Sequence, residues 1–114
     1  IGMALEGYRP VVFFERQDFI LNALDAIVNH LDKIESMSEN QFSLPVILRA
    51  TVGTIRPFNP GPQHSQNFTP SLKNMIKFPI YEPNNTKEVL RIYKEIEDYK
   101  HPVMIVEKKE LYNL

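Results

Sequence analysis

The residue best placed for proton chemistry is His64. It stands in Gly61-Pro62-Gln63-His64-Ser65-Gln66, the end of a Pro/Gly-rich stretch from Gly53 to Gln66 that follows an apolar run of strand length. In an open α/β sheet, ligands bind beyond the carboxyl ends of the strands. A loop leaving a strand is therefore where a reacting group tends to sit. An imidazole there can donate or accept a proton near neutral pH. A solvent-exposed loop histidine without a role is the commoner outcome for such a position, and position alone favours it. Phe19 offers a second choice: an ordinary core residue, or a flat surface on which a ring could stack. Spacing alone favours core. His30 closes a helical stretch, where it suits the negative end of the helix dipole, and His101 precedes Pro102 as a turn residue. Neither carries a partner pattern.

Other chemistries are excluded or unsupported. The chain has no cysteine, which removes disulfides, thiolate catalysis and cysteine-bound zinc. It contains no GxGxxG, P-loop, HExxH or GxSxG pattern. Asp32, Glu35 and Glu39 read as an exposed acidic face rather than a metal site. Glu107-Lys108-Lys109-Glu110 reads as a solvated mixed-charge run. Thirteen Lys and Arg against fourteen Asp and Glu leave a formal charge of -1. That balance gives no electrostatic reason to expect nucleic acid or an anionic membrane as partner. No apolar run is long enough to span a bilayer and no signal-peptide pattern opens the chain. The expectation is a soluble protein of the cytoplasm or an organellar matrix. The start at Ile1, with no methionine ahead of it, reads as a fragment or a trimmed chain.

The elements that must position these residues are legible in outline. At 114 residues there is room for one domain. Four apolar runs have strand length: Val11 to Phe14, Leu44 to Leu48, Met75 to Ile80 and Pro102 to Val106. Their hydrophobicity is continuous, as in parallel strands covered on both faces. Between them lie two helical patterns. Asp18 to Ile34 has apolar residues at 19, 20, 23, 24, 27, 28, 31 and 34, with Leu21 and Ala26 widening the stripe. A helix apolar on most sides is buried on most sides, and in so small a domain this suggests packing against another chain, the alternative being a central helix within the one domain. Thr86 to Asp98 opens on an Asn85-Thr86 cap and carries Val89, Leu90, Ile92, Tyr93 and Ile96. Ser36 to Ser43 and Gly53 to Gln66 read as loops. The alternation predicts an α/β fold: a mostly parallel sheet with helices on both faces.

Several segments, in order, resemble one family. Ile1-Gly2-Met3-Ala4-Leu5-Glu6-Gly7-Tyr8-Arg9-Pro10 is similar to the helix-to-strand passage in beta subunits of pyruvate and branched-chain 2-oxoacid dehydrogenases. Asp18-Phe19-Ile20 with Asn22 to Asn29 resembles their next helix. Gln41-Phe42 ahead of Pro45-Val46, Gln63-His64-Ser65-Gln66, Thr69-Pro70-Ser71-Leu72-Lys73, and Pro102-Val103 with Glu107 and Leu111-Tyr112 continue the register. Each piece is weak, but the ordered set covers essentially the whole chain.

The resemblance implies a thiamine-diphosphate-binding fold, truncated at its N-terminus. Residues 1–114 would be part of a transketolase-like pyrimidine-binding domain. It implies that thiamine diphosphate lies between two domains. An alpha subunit grips the diphosphate through Mg2+ with a Gly-Asp-Gly motif, which is absent here. The chain would receive the aminopyrimidine ring, with Phe19 stacking on it. His64 would be the active-site histidine, positioning groups or moving a proton during decarboxylation and acyl handover to a lipoyl acyltransferase. The family glutamate that hydrogen-bonds the pyrimidine would lie upstream of Ile1, and Glu6 is not its equivalent. Glu15 stands where the family has a neutral residue near the cofactor, so its carboxylate would either alter ring protonation or simply point away. Ile55-Arg56-Pro57-Phe58-Asn59-Pro60 replaces a glycine-rich stretch, which bears on substrate access. The chain alone would be inactive, half the pocket coming from its partner in a homo- or hetero-oligomer. Two other functions fit the same residues: a non-catalytic interaction module with a decayed site, and a transketolase-type ketol transferase.

Overall fold

The computed structural model of the chain describes residues 1–54 and 59–112. Four strands form one sheet in the order β1-β2-β4-β3: β1 (Val11–Phe14), β2 (Ile47–Val52), β3 (Ile80–Tyr81) and β4 (Val103–Lys108). Every pairing is parallel, with Val11 opposite Ile47, Leu48 opposite Met104, and Ile80 also opposite Met104. Side chains alternate across the pleat, and here each face has its own core. Leu48, Ala50, Val52, Met104 and Val106 pack with Ile20, Ile27, Leu31 and Leu72. Ile47, Val103 and Ile105 pack with Ile92 and Ile96. Each fully buried aliphatic side chain stabilises the fold by about 1.5–3 kcal/mol. The α/β fold with helices on both faces of a parallel sheet is therefore as expected.

Two-sided burial holds for β2 and β4 and fails for β1. Val11 is 54% and Phe13 45% exposed. β1 is an edge strand, and the Arg49 guanidinium lies 4.8 Å from the centre of the Phe13 ring. The second strand also begins later than its apolar run. Pro45 has no N–H for the ladder, and pairing starts at Ile47.

The apolar run at 75–80 divides. Thr69–Met75 is a helix with proline at its first turn, and only Ile80 and Tyr81 join the sheet. Pro70 favours helix initiation, so Met75 completes a helix rather than opening a strand. The helix expected over 86–98 is present as Thr86–Glu95. The Asn85 side chain accepts from the Glu88 amide at 2.9 Å, and the Glu88 carboxylate accepts from the Asn84 amide at 2.8 Å. Its far end is held by Arg9, whose guanidinium donates to the Ile96 and Glu97 carbonyls. A cation at that end also complements the helix dipole.

The single helix expected over 18–34 is three pieces of different pitch. Gln17–Ala23 is tightly wound, Ala26–Leu31 widely wound, and Ile34–Met37 a short α-turn that takes up the start of the expected loop at 36–43. Its apolar residues sort into a buried stripe (Ile20, Ile27 and Leu31) and outward positions, with Leu21 52% exposed. The segment is thus not buried on most sides within this chain. Asp32 is not part of an exposed acidic face either. Its side chain is 1% exposed and accepts from the Lys77 and Phe78 amides at 2.5 and 3.3 Å, while Lys33 pairs with it. Glu35 and His101 pair at 2.6 Å, and His30 lies 3.4 Å from Asp25.

Candidate functional site

Leaving β1, the chain runs through Glu15, Arg16, Gln17, Asp18 and Phe19 before the first helical piece closes. Three consecutive polar residues in this passage are almost fully buried: Arg16 at 7%, Gln17 at 0% and Asp18 at 7% exposure. Buried polar groups demand partners, and each finds them on the segment that follows β2. The Arg16 guanidinium donates to the Gly53 carbonyl. Gln17 donates through Nε2 to Thr69 Oγ1 at 2.9 Å and accepts through Oε1 from the Phe68 amide at 2.6 Å. Asp18 Oδ1 accepts from the Gln66 side chain at 3.0 Å and from its amide at 3.3 Å. Asp18 Oδ2 is buried with no protein partner among the described residues.

Between these ties lies a tight turn, Pro62–His64, closed by the His64 amide on the Gly61 carbonyl at 3.1 Å. The Ser65 hydroxyl donates to the same carbonyl at 2.5 Å. The outcome is that Phe19 and His64 meet. Their ring centroids are 5.4 Å apart and their planes cross at 65°, an edge-to-face contact. Phe19 remains 41% exposed and His64 is half-buried. The core alternative for Phe19 does not hold. The pair sits where segments leaving two adjacent strands come together, beyond their carboxyl ends.

Glu15 turns to a different neighbour. Its carboxylate pairs with Lys109, and that hydrogen bond, more than any other cause, holds its pKa below the ordinary glutamate value. The 107–110 run is therefore not simply solvated. Glu107 takes a two-point bridge from Arg49 at 2.6 and 3.0 Å and a hydrogen bond from the Tyr112 hydroxyl at 2.5 Å. Burial pushes its carboxyl up, but Arg49 and Tyr112 more than offset this, and the net shift is downward. Lys108 donates to Asn84 at 2.7 Å, and Lys109 lies 4.8 Å from the centre of the Tyr112 ring. Glu110 accepts from the Thr54 amide at 3.0 Å and overlies Gly53, which has φ +80° and over which the Glu110 carboxylate leaves no room for a Cβ.

The sequence reading missed Arg16, Gln17, Lys109 and Glu110 and named Asp18 only as a helix start. One signal was present: polar residues interrupting an apolar run directly after a strand. The expected influence of Ile55, Arg56, Pro57 and Phe58 on access lies outside the described residues. A cavity of about 320 Å3 opens over the other core, lined by Arg49, Val89, Tyr93, Ile105, Glu107 and Tyr112 among others, and includes neither Phe19 nor His64. Among the described residues, no group of three His, Asp or Glu side chains converges as a metal site, and no helix is long and apolar enough to cross a membrane.

No protein-family model matches the chain. Curated relatives do, three of them as follows. The mitochondrial pyruvate dehydrogenase E1 component subunit beta of Ascaris suum is 26% identical over 114 residues, 100% of this chain and 31% of that protein. The corresponding beta-2 subunit of Oryza sativa subsp. japonica is 30% identical over 112 residues, 98% of this chain and 29% of that protein. The 2-oxoisovalerate dehydrogenase subunit beta of Bacillus subtilis is 29% identical over 114 residues, 100% of this chain and 34% of that protein. The chain spans about a third of the length of these relatives.

Proposed function

We propose, from the premise that the chain is a homologue of 2-oxoacid dehydrogenase beta subunits along essentially its whole length, that it receives the aminopyrimidine half of thiamine diphosphate in a decarboxylase component. Residues 1–114 then form part of a transketolase-like pyrimidine-binding domain, completed by an alpha-type subunit that holds the diphosphate through Mg2+. The observation that carries this reading is the Phe19–His64 contact, made by residues 45 positions apart at the carboxyl ends of parallel strands. A half-exposed phenyl ring with an imidazole edge-on beside it suits a flat heterocycle. The residues present therefore fit the ring half of the cofactor.

Phe19 contributes a stacking face. A ring pair of this kind contributes about 0.5–1.5 kcal/mol beyond burial. His64, held by its backbone turn, can hold or move a proton at an imidazole nitrogen during decarboxylation and acyl handover to a lipoyl group. Glu15 keeps a charge at the margin of the site that Lys109 balances, so its effect on ring protonation is attenuated. Thiamine diphosphate, when bound, supplies the carbanion chemistry, and the protein orients and tunes it. A matrix or cytoplasmic setting and a lipoyl acyltransferase partner belong to the same proposal.

Calorimetry tests it. Thiamine diphosphate with Mg2+ should bind when this chain, in its full-length protein, is mixed with the alpha-type partner, and should not bind to either alone. No binding by the mixture at high cofactor concentration would reject the reading in favour of an interaction module. Product analysis with a 2-oxoacid against a ketose phosphate separates decarboxylation from ketol transfer.

A further inference from the structure

We propose that Arg16, Gln17 and Asp18 form a positioning clamp that sets His64 against Phe19, holding both ends of the histidine loop from the strand exit that also carries Phe19. The inference rests on the reading of Phe19 and His64 as the working pair, but its geometry stands apart from any ligand. Arg16 reaches 37 positions along the chain to Gly53 at the loop's start. Asp18 reaches 48 positions to Gln66, and Gln17 reaches 51 and 52 to Phe68 and Thr69 at its end. Among the described residues of the loop, Thr54 is tied to Glu110, and the other internal ties are local: His64 and Ser65 to Gly61, and Gly61 to Asn59.

Burying three polar side chains in a row is an expensive way to fill space, and Asp18 Oδ2 has no partner among the described residues. Apolar residues would pack such a passage at lower cost. What polar residues add is direction: a Gln that both donates and accepts fixes two partners at defined distances, which a Leu cannot do. Because Phe19 directly follows the clamp, one short passage fixes both rings in a common frame. A displacement of about 1 Å at such a site can cost roughly 10²-fold in rate. These three residues touch no substrate in this scheme. They act through His64.

The test uses the full-length protein assembled with its alpha-type partner. Gln17→Leu removes both hydrogen bonds at similar volume. Hydrogen exchange followed by mass spectrometry, without cofactor, should show faster exchange across 61–69 and no change across 86–95. Turnover number should fall roughly 10- to 100-fold, while KM and cofactor affinity stay within about threefold. If Gln17→Leu does not assemble, Thr69→Val, which deletes only the Thr69 bond, takes its place with the same pattern in smaller measure. Unchanged exchange at 61–69, or loosened exchange with unchanged turnover, overturns the clamp. Failure of the unmodified assembly to bind thiamine diphosphate is a separate result and ends the cofactor reading alone.

Discussion

Replacing Gly53 by Ala perturbs the root of the histidine loop in a way that can be divided into parts. Gly53 has φ +80°, and a Cβ built there would run into the Glu110 carboxylate. A left-handed conformation costs an L-residue about 1–2 kcal/mol. The carboxylate is the free end of a flexible side chain and can swing aside, but it then gives up the Thr54 amide, 3.0 Å away. A charge-assisted hydrogen bond is worth about 1.5–3 kcal/mol when buried. In this exposed setting about 1 kcal/mol is the appropriate figure. Gly53→Ala should therefore cost about 2–3 kcal/mol in the native background. With Glu110→Ala already in place, that bond is gone and the carboxylate is no longer in the way. The same substitution should then cost only about 1–2 kcal/mol. Urea unfolding of the four proteins, with a shared m-value, measures the coupling as the difference between backgrounds. A coupling of about 1 kcal/mol is expected. An identical cost in both backgrounds would show that Glu110 does not lie over Gly53. A negligible cost would mean the residue does not need its positive φ.

Three further outcomes follow from the site and its supports. In the assembled enzyme, His64→Ala should leave cofactor affinity nearly intact and slow turnover by roughly 10²-fold if the imidazole transfers a proton; equal turnover removes it from the mechanism. Phe19→Ala should weaken cofactor binding by more than about 0.5 kcal/mol in calorimetry, and unchanged affinity would make it a packing residue only. Asp32 has a pKa below the ordinary aspartate value of 3.8: burial raises it, but Lys33 and the Lys77 and Phe78 amides more than offset that. A depressed carboxyl stabilises the fold above the unfolded-state pKa and loses that contribution as pH falls through the folded one. The stability gap between native protein and Asp32→Asn should be constant from pH 7 to about 5 and close below about 4. A gap that does not narrow as the pH falls below about 4 would contradict the assignment.

How much of this was readable beforehand differs element by element, for physical reasons. The strand at Val11–Phe14 and the helix from Thr86 were legible because their signals are local: a β-branched and aromatic run, and an Asn cap with Glu three residues on. The passage at 18–34 was legible only as to its buried side. Apolar spacing reports which residues face the core, here Ile20, Ile27 and Leu31, but tolerates changes of winding between them. The run from Glu107 to Glu110 looked like solvated charge because its partners, Arg49, Asn84, Glu15 and Thr54, are distant in sequence. Only the parallel register of β2 with β4 brings Arg49 and Glu107 onto one face of the sheet. The meeting of Phe19 and His64 followed from the resemblance rather than from spacing, which favoured an ordinary core residue and an idle loop histidine. The polar triplet that holds them was in plain view but carried no pattern that periodicity could score.

The strand order has a consequence for how the chain is made. β4 lies between β2 and β3, yet it leaves the ribosome after both of them. Ile47 pairs with Val103, 56 positions later, an interval of about 3–11 s at the usual 5–20 residues per second of synthesis. For that time β2 has a neighbour on one side only, and the apolar residues destined for both cores have no central strand to close on. This window exposes both sets of apolar residues to translation pauses and chaperone contacts before the sheet can close.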